Sequence, residues 1–276
     1  MSCSTKLKTL SRLIKAIAKQ PKASRKLLAH LITTIQGFRY AKDWLTSNTD
    51  NISPSLLNAG ESLEATNPLK SYINNYKGEK GICKPIHYFD IYHRCFKKFI
   101  GRETHILEVG VYSGGSLEMW RSYFGSNCHV YGIDIEEKCK LFENDYTKIF
   151  IGDQGDRQFW KQFKEKVAKI DIIIDDGSHL AEDQIITLEE MLPHLSPGGV
   201  YLCEDIADTH SKLVAYLYGM INGLNEWGLP EPDKEGTQFQ KWVKTIQFFP
   251  WVAVVEKEEK AEQRFTMQRL GTKWLW

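Results

Sequence analysis

Two acidic clusters contain the residue types in this chain that could do chemistry. The first, Asp175-Asp176-Gly177-Ser178-His179, follows the strand-like run 169–174, and the second, Glu204-Asp205, follows the run 199–203. Each run has the length and branching of a central parallel strand. Open α/β sheets bind ligands at the carboxyl ends of such strands. The pattern therefore predicts an oxygen-lined site that could hold a hard metal ion beside a histidine base.

Each cluster also has a purely structural interpretation. The aspartate pair could cap the following helix, His179 could be a surface or packing residue, and the Glu-Asp pair could begin a solvated loop. All three structural roles would have to coincide on neighbouring strand ends, and this favours a functional site.

A glycine-rich turn lies at the first predicted strand. Glu108-Val109-Gly110-Val111-Tyr112-Ser113-Gly114-Gly115-Ser116 would expose backbone amides to a ligand, with Ser116 capping the next helix. Tyr112 stands where a dinucleotide fingerprint needs glycine, and no P-loop lysine follows. Asp134 ends the second strand, where a ribose would lie, and Gly152-Asp153-Gln154 follows the third. Together these residues suggest an adenosine-containing ligand without a pyrophosphate, although a tight turn with a surface aspartate would look similar.

Strand-like and helix-like segments alternate from about residue 87, which predicts a doubly wound, mostly parallel sheet. The predicted helices are 87–100, 116–124, 156–168, 182–195 and 208–223. The predicted strands are 105–111, 129–135, 148–153, 170–176 and 200–205, with a turn at 196–199 before the last. Two further runs, 245–255 and 264–270, predict an antiparallel hairpin at the sheet edge, with its turn at 256–262 and Pro250 at an edge or bulge position.

The N-terminal region differs from the rest in charge. Residues 1–50 hold ten Lys/Arg and two Asp, a net charge of +8, and since the whole chain carries +1, the other 226 residues sum to −7. Apolar residues recur at helical spacing on both sides of Pro21, and residues 46–62 have the composition of a linker. We expect a basic helical extension and linker over residues 1–75 and one α/β domain over 76–276. The extension could pack on the domain or a second subunit, contact a membrane surface or anionic partner, or be a targeting peptide.

The cysteines and the hydropathy suggest the compartment. The six cysteines are scattered without a C-x-x-C pair, which is typical of free thiols under reducing conditions. No apolar run approaches the ~20 residues that span a bilayer, and we see no secretory signal. We therefore expect a cytoplasmic protein.

The motifs together resemble those of class I S-adenosylmethionine-dependent methyltransferases. The segments are 108–116, Tyr131-Gly132-Ile133-Asp134-Ile135, 152–154, 175–179 and 197–205. More narrowly, they resemble the metal-dependent macrocin- and mycinamicin-type sugar O-methyltransferases and the related cephalosporin hydroxylase group, over roughly residues 75–257. The resemblance implies a Rossmann-like methyltransferase fold with a seven-stranded sheet, an antiparallel C-terminal hairpin and a helical N-terminal extension.

The resemblance also implies roles for individual residues. Asp176, Glu204 and Asp205 would hold Mg²⁺, and His179 would be the general base. The candidate S-adenosylmethionine-binding residues are Glu108, Gly110, Ser113, Gly114, Gly115, Ser116, Asp134, Asp153, Gln154 and Asp175. Asp175 could face the cofactor or brace the loop. Some relatives have a second histidine where this chain has Asp183, a difference that bears on the substrate pocket.

The expected reaction is methyl transfer from S-adenosylmethionine to a hydroxyl of a sugar or glycosylated natural product. Alternatives are a catechol-type or other non-sugar acceptor, or a non-catalytic subunit that binds an adenosine ligand. Hydroxylase chemistry is disfavoured because the sequence shows no flavin motif and no 2-His-1-carboxylate triad. A nucleic-acid substrate is disfavoured because the predicted catalytic domain is acidic. The resemblance also suggests a homo-oligomer.

Overall fold

The computed structural model describes residues 22–48, 67–206, 211–225, 237–260 and 270–271. The chain divides into two compact units, Met1–Ala65 and Thr66–Trp276. Among the described residues, no helix has both the length and the hydropathy needed to cross a membrane. The five cysteines within the described ranges are free thiols, as the sequence predicts.

The first unit contributes one long helix, α1 (Lys22–Asn48). It confirms the predicted helix after Pro21, whereas the predicted helical stretch before Pro21 lies outside the described residues. The predicted start of the linker at Thr46 is wrong. α1 continues through Thr46 to Asn48, and the Thr46 hydroxyl donates to the carbonyl oxygens of Lys42 and Asp43, both at 3.0 Å. The rest of the predicted linker falls outside the described ranges.

The second unit contains the sheet and the helices around it. The helices are α2 (Pro68–Asn74), α3 (Tyr88–Phe96), α4 (Gly115–Phe124), α5 (Arg157–Lys166), α6 (Ala181–Met191), α7 (Lys212–Leu224) and α8 (Gln238–Trp242). The strands are β1 (Thr104–Val109), β2 (Cys128–Asp134), β3 (Thr147–Ile151), β4 (Ile170–Asp175), β5 (Leu195–Cys203), β6 (Val243–Phe249) and β7 (Val252–Lys257). Short 3-10 turns occupy Lys97–Phe99 and Glu137–Phe142.

The seven strands form one sheet in the order β3-β2-β1-β4-β5-β7-β6. β1 to β5 are parallel, and β7 runs antiparallel to both β5 and β6. Helices cover both faces, so the side chains of Ile172, Ile173 and Ile174 are all fully buried, on alternating sides of β4. This confirms the predicted doubly wound sheet with an antiparallel C-terminal hairpin.

The predicted position of the hairpin turn is wrong. The chain reverses at Pro250 and Trp251, where Trp251 has φ +64°, and the partner strand is β7 rather than the run 264–270. Pro250 has no N–H to donate to a strand neighbour, and this suits a turn better than a strand interior. Most of the run 264–270 lies outside the described residues.

The turn predicted at 196–199 is also wrong, because β5 begins at Leu195, which pairs with Ile170 of β4. An irregularity in this register between Ile170 and Ile172 accommodates the extra residues. Gly198, at φ +73°, donates its N–H to the Glu258 carbonyl, and residues 196–199 lie within β5 between the paired residues Leu195 and Val200.

Candidate functional site

A cavity of about 510 Å³ lies at the carboxyl ends of β1, β2, β4 and β5. Nine predicted site residues line it: Gly110, Ser113, Ser116, Asp134, Asp153, Gln154, Asp176, His179 and Asp205. Five others do not reach its wall: Glu108, Gly114, Gly115, Asp175 and Glu204. The chain segment before α3 closes one side through residues 81–84.

Gly110 is required where β1 and the end of β4 come together. It has φ +89°, and a Cβ there would lie 2.1 Å from the carbonyl oxygen of Asp176. Hydrogen bonds fix the backbone of both strands here. The Asp176 N–H donates to the Val109 carbonyl at 2.9 Å, and the Gly110 N–H donates to the Ile133 carbonyl at 2.8 Å. The glycine therefore sets the position of Asp176 in the cavity.

Asp134 organises the turn after β1. One carboxylate oxygen accepts the N–H groups of Val111 and Tyr112 at 2.9 and 3.0 Å, and the other accepts that of Glu136 at 2.9 Å. Partial burial raises its pKa, but the three amide bonds outweigh burial and lower the pKa overall. Asp134 is therefore an ionised group at the cavity wall, with lone pairs left for a ligand hydroxyl.

Ser116 does not cap α4, contrary to the sequence expectation. The helix begins after Gly114, at φ +71°, and has no side-chain cap. The Ser116 hydroxyl donates instead to Glu108 Oε2 at 2.7 Å. Glu108 is fully buried, and its second oxygen, Oε1, has no hydrogen-bond partner.

Gln154 and Asp175 brace the loop that follows β4. The Gln154 amide donates to Asp175 Oδ1 and Thr187 Oγ1, at 3.0 and 3.1 Å, and its oxygen accepts the N–H of Ser178 at 2.6 Å. The Tyr201 hydroxyl donates to Asp175 Oδ2 at 2.7 Å. Complete burial raises the pKa of Asp175 to about 6, against the effect of these hydrogen bonds. Of the two sequence interpretations of Asp175, the structure shows the bracing arrangement.

Asp176, His179 and Asp205 come together at the cavity mouth. Their ligand atoms all lie within 4.8 Å of one another, and His179 Nε2 is 3.8 Å from Asp205 Oδ2. The Tyr88 hydroxyl donates to Asp205 Oδ1 at 2.6 Å and fixes that carboxylate. His179 and Asp205 both have left-handed backbone, at φ +57° and +55°, an uncommon conformation that clusters at functional sites.

Glu204 lies deeper and pairs with Lys84, a residue that the sequence analysis did not select. The Lys84 ammonium donates to Asp176 Oδ2 and, at 2.9 Å, to Glu204 Oε2, and it lies 3.8 Å from Glu108 Oε1. Its side chain is only 5% exposed. The Tyr92 hydroxyl donates to the other oxygen of Glu204 at 2.6 Å. No spacing rule indicated Lys84, because it precedes Asp176 by 92 residues.

Burial and the surrounding charges shift the pKa values of Lys84 and Glu204 in opposite directions. Burial lowers the pKa of Lys84, but Glu204, Glu108 and Asp176 together raise it well above its ordinary value. Burial raises the pKa of Glu204 even though Lys84 opposes the shift. Three carboxyl groups therefore lie within 4 Å of a single ammonium.

The chemistry of this cluster fits a hard divalent cation. Asp176 and Asp205 offer carboxylate oxygens at the cavity wall, and buried Glu204 shares the Lys84 ammonium with Asp176. Oxygen donors of this kind favour Mg²⁺, Ca²⁺ or Mn²⁺ over zinc. Glu108 Oε1, which has no hydrogen-bond partner, lies 3.8 Å from the Lys84 ammonium and adds a third carboxyl group beside this cation.

The site lies in a part of the chain that resembles known proteins. Residues 107–206, which contain both acidic clusters and the glycine turn, match the family model described as a methyltransferase domain. This segment is a methyltransferase domain. Mycinamicin VI 2''-O-methyltransferase of Micromonospora griseorubida is 35% identical over 193 residues, covering 62% of this chain and 48% of that protein. An 8-demethyl-8-alpha-L-rhamnosyl tetracenomycin-C 2'-O-methyltransferase of Streptomyces olivaceus is 31% identical over 193 residues, covering 62% and 50%.

A solved structure also resembles the chain. The methyltransferase MycE of the mycinamicin pathway, in complex with Mg and SAH, matches with a TM-score of 0.58 at 27% identity, over 70% of this chain and 54% of that one. The chain spans about half the length of the curated relatives cited above. The chain thus resembles O-methyltransferases in sequence and the MycE methyltransferase in fold.

Proposed function

We propose that this protein is a Mg²⁺-dependent O-methyltransferase that transfers a methyl group from S-adenosylmethionine to a hydroxyl of a sugar or glycosylated natural product. The observation that carries the proposal is the meeting of Asp176, His179 and Asp205 in one cavity. The same cavity is also lined by residues of the glycine turn and by Asp134. The cavity can therefore hold a donor and an acceptor side by side.

The turn after β1 suits the donor. Asp134 would accept the ribose hydroxyls, as the acid at the end of the second strand does in such folds. Gly110 and Ser113 line the cavity beside this turn and would lie next to the rest of the cofactor. Asp153 also lines the cavity and would approach the adenine, while the Gln154 side chain bonds to Asp175 and to the Ser178 N–H.

The acidic residues that follow β4 and β5 are suited to binding the acceptor. Asp176, Asp205 and Glu204 would hold the cation, which when bound would make an acceptor hydroxyl more acidic. His179, with its side chain 44% exposed, would accept the hydroxyl proton at Nε2. Asp205, at 3.8 Å from that nitrogen, would stabilise the imidazolium that forms. Holding the two reactants in line would supply much of the acceleration.

The names of the relatives support a sugar acceptor. The mycinamicin, tetracenomycin and MycE proteins are named for glycosylated natural products or their pathways. Two neighbouring hydroxyls of a sugar would suit a metal site with few protein ligands. Assembly as a homo-oligomer and contact of the basic N-terminal helices with a membrane surface stay predictions.

The first test is calorimetric titration of the purified protein with S-adenosylmethionine, with and without Mg²⁺, alongside Asp176→Ala. We expect micromolar binding of the cofactor to both proteins, and Mg²⁺-dependent methylation of glycoside acceptors by the wild type only. Circular dichroism would establish that Asp176→Ala is folded. Absence of cofactor binding would refute the methyltransferase proposal. Methylation of a catechol, and not of glycosides, would refute the sugar acceptor alone.

A further inference from the structure

Lys84 places a fixed positive charge where the proposed metal site needs negative ligands. Its ammonium contacts Asp176 Oδ2 and lies 2.9 Å from Glu204 Oε2, so it uses oxygens of two of the three proposed metal ligands. The side chain is 5% exposed, and the contact therefore has little screening by water. A lysine in this position opposes the binding of another cation.

The segment that carries Lys84 is anchored on the methyltransferase domain. The Tyr76 hydroxyl donates to the Lys80 carbonyl at 2.6 Å, and Lys80 Nζ forms an ion pair with Glu118 of α4 at 2.6 Å. A Cβ on Gly115 would lie 2.5 Å from the carbonyl oxygen of Gly81, so this segment packs directly on the start of α4. These contacts hold Lys84 at the cluster, and its charge is a built-in part of the site.

Lys84 stabilises the carboxylates that surround its ammonium. Asp176, Glu204 and Glu108 are carboxylates within 4 Å of its ammonium, and Glu108 and Glu204 are fully buried. Several buried carboxylates without a cation would repel one another at high cost. Lys84 therefore stabilises the carboxylates in their places, at the expense of their affinity for a metal.

We propose that Lys84 is a tethered counter-ion that competes with the divalent cation for Asp176 and Glu204 and so sets the affinity of the site for metal. This inference rests on the proposed function, because it concerns the same metal site. Metal binding would then require the Lys84 ammonium to withdraw from those two oxygens. The affinity of the site for Mg²⁺ would be weaker than its three carboxylates alone would give.

The test is Mg²⁺ titration by calorimetry of the wild type, Lys84→Gln and Lys84→Met. Glutamine keeps a hydrogen-bond donor without the charge, which guards against misfolding of the methionine variant. Removing a unit charge a few ångströms from the cation is expected to tighten Mg²⁺ binding by about tenfold or more. Lys80→Met is the matched control, since Lys80 lies in the same segment but pairs with Glu118 outside the cluster.

Thermal unfolding supplies a second readout that does not depend on activity. In EDTA, Lys84→Gln should melt below the wild type, and excess Mg²⁺ should raise its melting temperature by more than that of the wild type or Lys80→Met. Equal or weaker Mg²⁺ binding by both Lys84 variants, with the wild type binding normally, would overturn this inference and leave the proposed function intact. Absence of Mg²⁺ binding in all four proteins would overturn both.

Discussion

Replacement of Gly110 by alanine tests whether the close approach of β1 and β4 sets the geometry of the site. Gly110 has φ +89°, and an added Cβ would lie 2.1 Å from the Asp176 carbonyl oxygen and 2.7 Å from its carbon. No flexible side chain can move aside, because the atoms in conflict are backbone. The end of β4 would have to shift, and Asp176 would shift with it.

The structure allows the cost to be estimated. A left-handed backbone costs an L-residue about 1–2 kcal/mol. The shift would also weaken two hydrogen bonds, from Asp176 to Val109 and from Gly110 to Ile133, each worth about 1 kcal/mol. With the residual overlap, we expect Gly110→Ala to lower the free energy of unfolding by roughly 3–5 kcal/mol.

Gly101→Ala is a matched control. Gly101 has a similar backbone, φ +74°, but a Cβ there would meet no atom within 4 Å. It should therefore cost only the backbone penalty of about 1–2 kcal/mol. Urea unfolding followed by far-ultraviolet circular dichroism measures both variants, and calorimetry with S-adenosylmethionine reports on the site. Equal losses of unfolding free energy in the two variants would refute the reasoning.

Three further predictions concern other residues. Tyr92→Phe removes the donor to buried Glu204 and should lower the free energy of unfolding by about 1–3 kcal/mol in urea; no change would mean that the bond contributes nothing. His179→Gln should reduce methyl transfer by about 10²- to 10⁴-fold without changing calorimetric affinity for S-adenosylmethionine; full activity would exclude His179 as the base. Burial lowers the pKa of His194, which bonds to the Val167 carbonyl at 2.7 Å, so the folded state binds a proton less readily than the unfolded chain. His194 therefore contributes fully to the free energy of unfolding above the unfolded-state pKa of about 6.5, and this contribution declines as the pH falls below that value. The melting temperature of the wild type should fall more between pH 7.5 and 5.5 than that of His194→Gln, and parallel curves would contradict this.

Much of the fold could be read from local pattern. Buried parallel strands are continuous apolar runs, so β4 is recognisable over Ile170–Asp175, and the helix–strand alternation predicts its parallel neighbours. The hairpin turn could not be placed in the same way. The sequence predicts one strand over 245–255, and only the pairing of Val252–Lys257 with β5 and β6 shows that two strands meet at Pro250.

The site residues likewise divide into those that the sequence predicts and those that it does not. Asp176 and Asp205 follow recognisable strands, and because parallel neighbours end at one sheet edge, the sequence alone predicts that they meet. Ser116 illustrates the limit, since its position predicts a helix cap, while the buried carboxylate of Glu108 takes its hydroxyl.

The sequence by itself determined which residue types stand at the strand ends, because side-chain chemistry and strand periodicity are local properties. Only the tertiary structure decided which partner each carboxylate has. Lys84 reaches Glu204 across 120 residues of chain, through a segment with no regular secondary structure. No local pattern encodes such a contact, since it depends on how the segment packs against α4 and on the burial that makes an unpaired carboxylate costly. The charge balance of the site is for that reason a property of the fold.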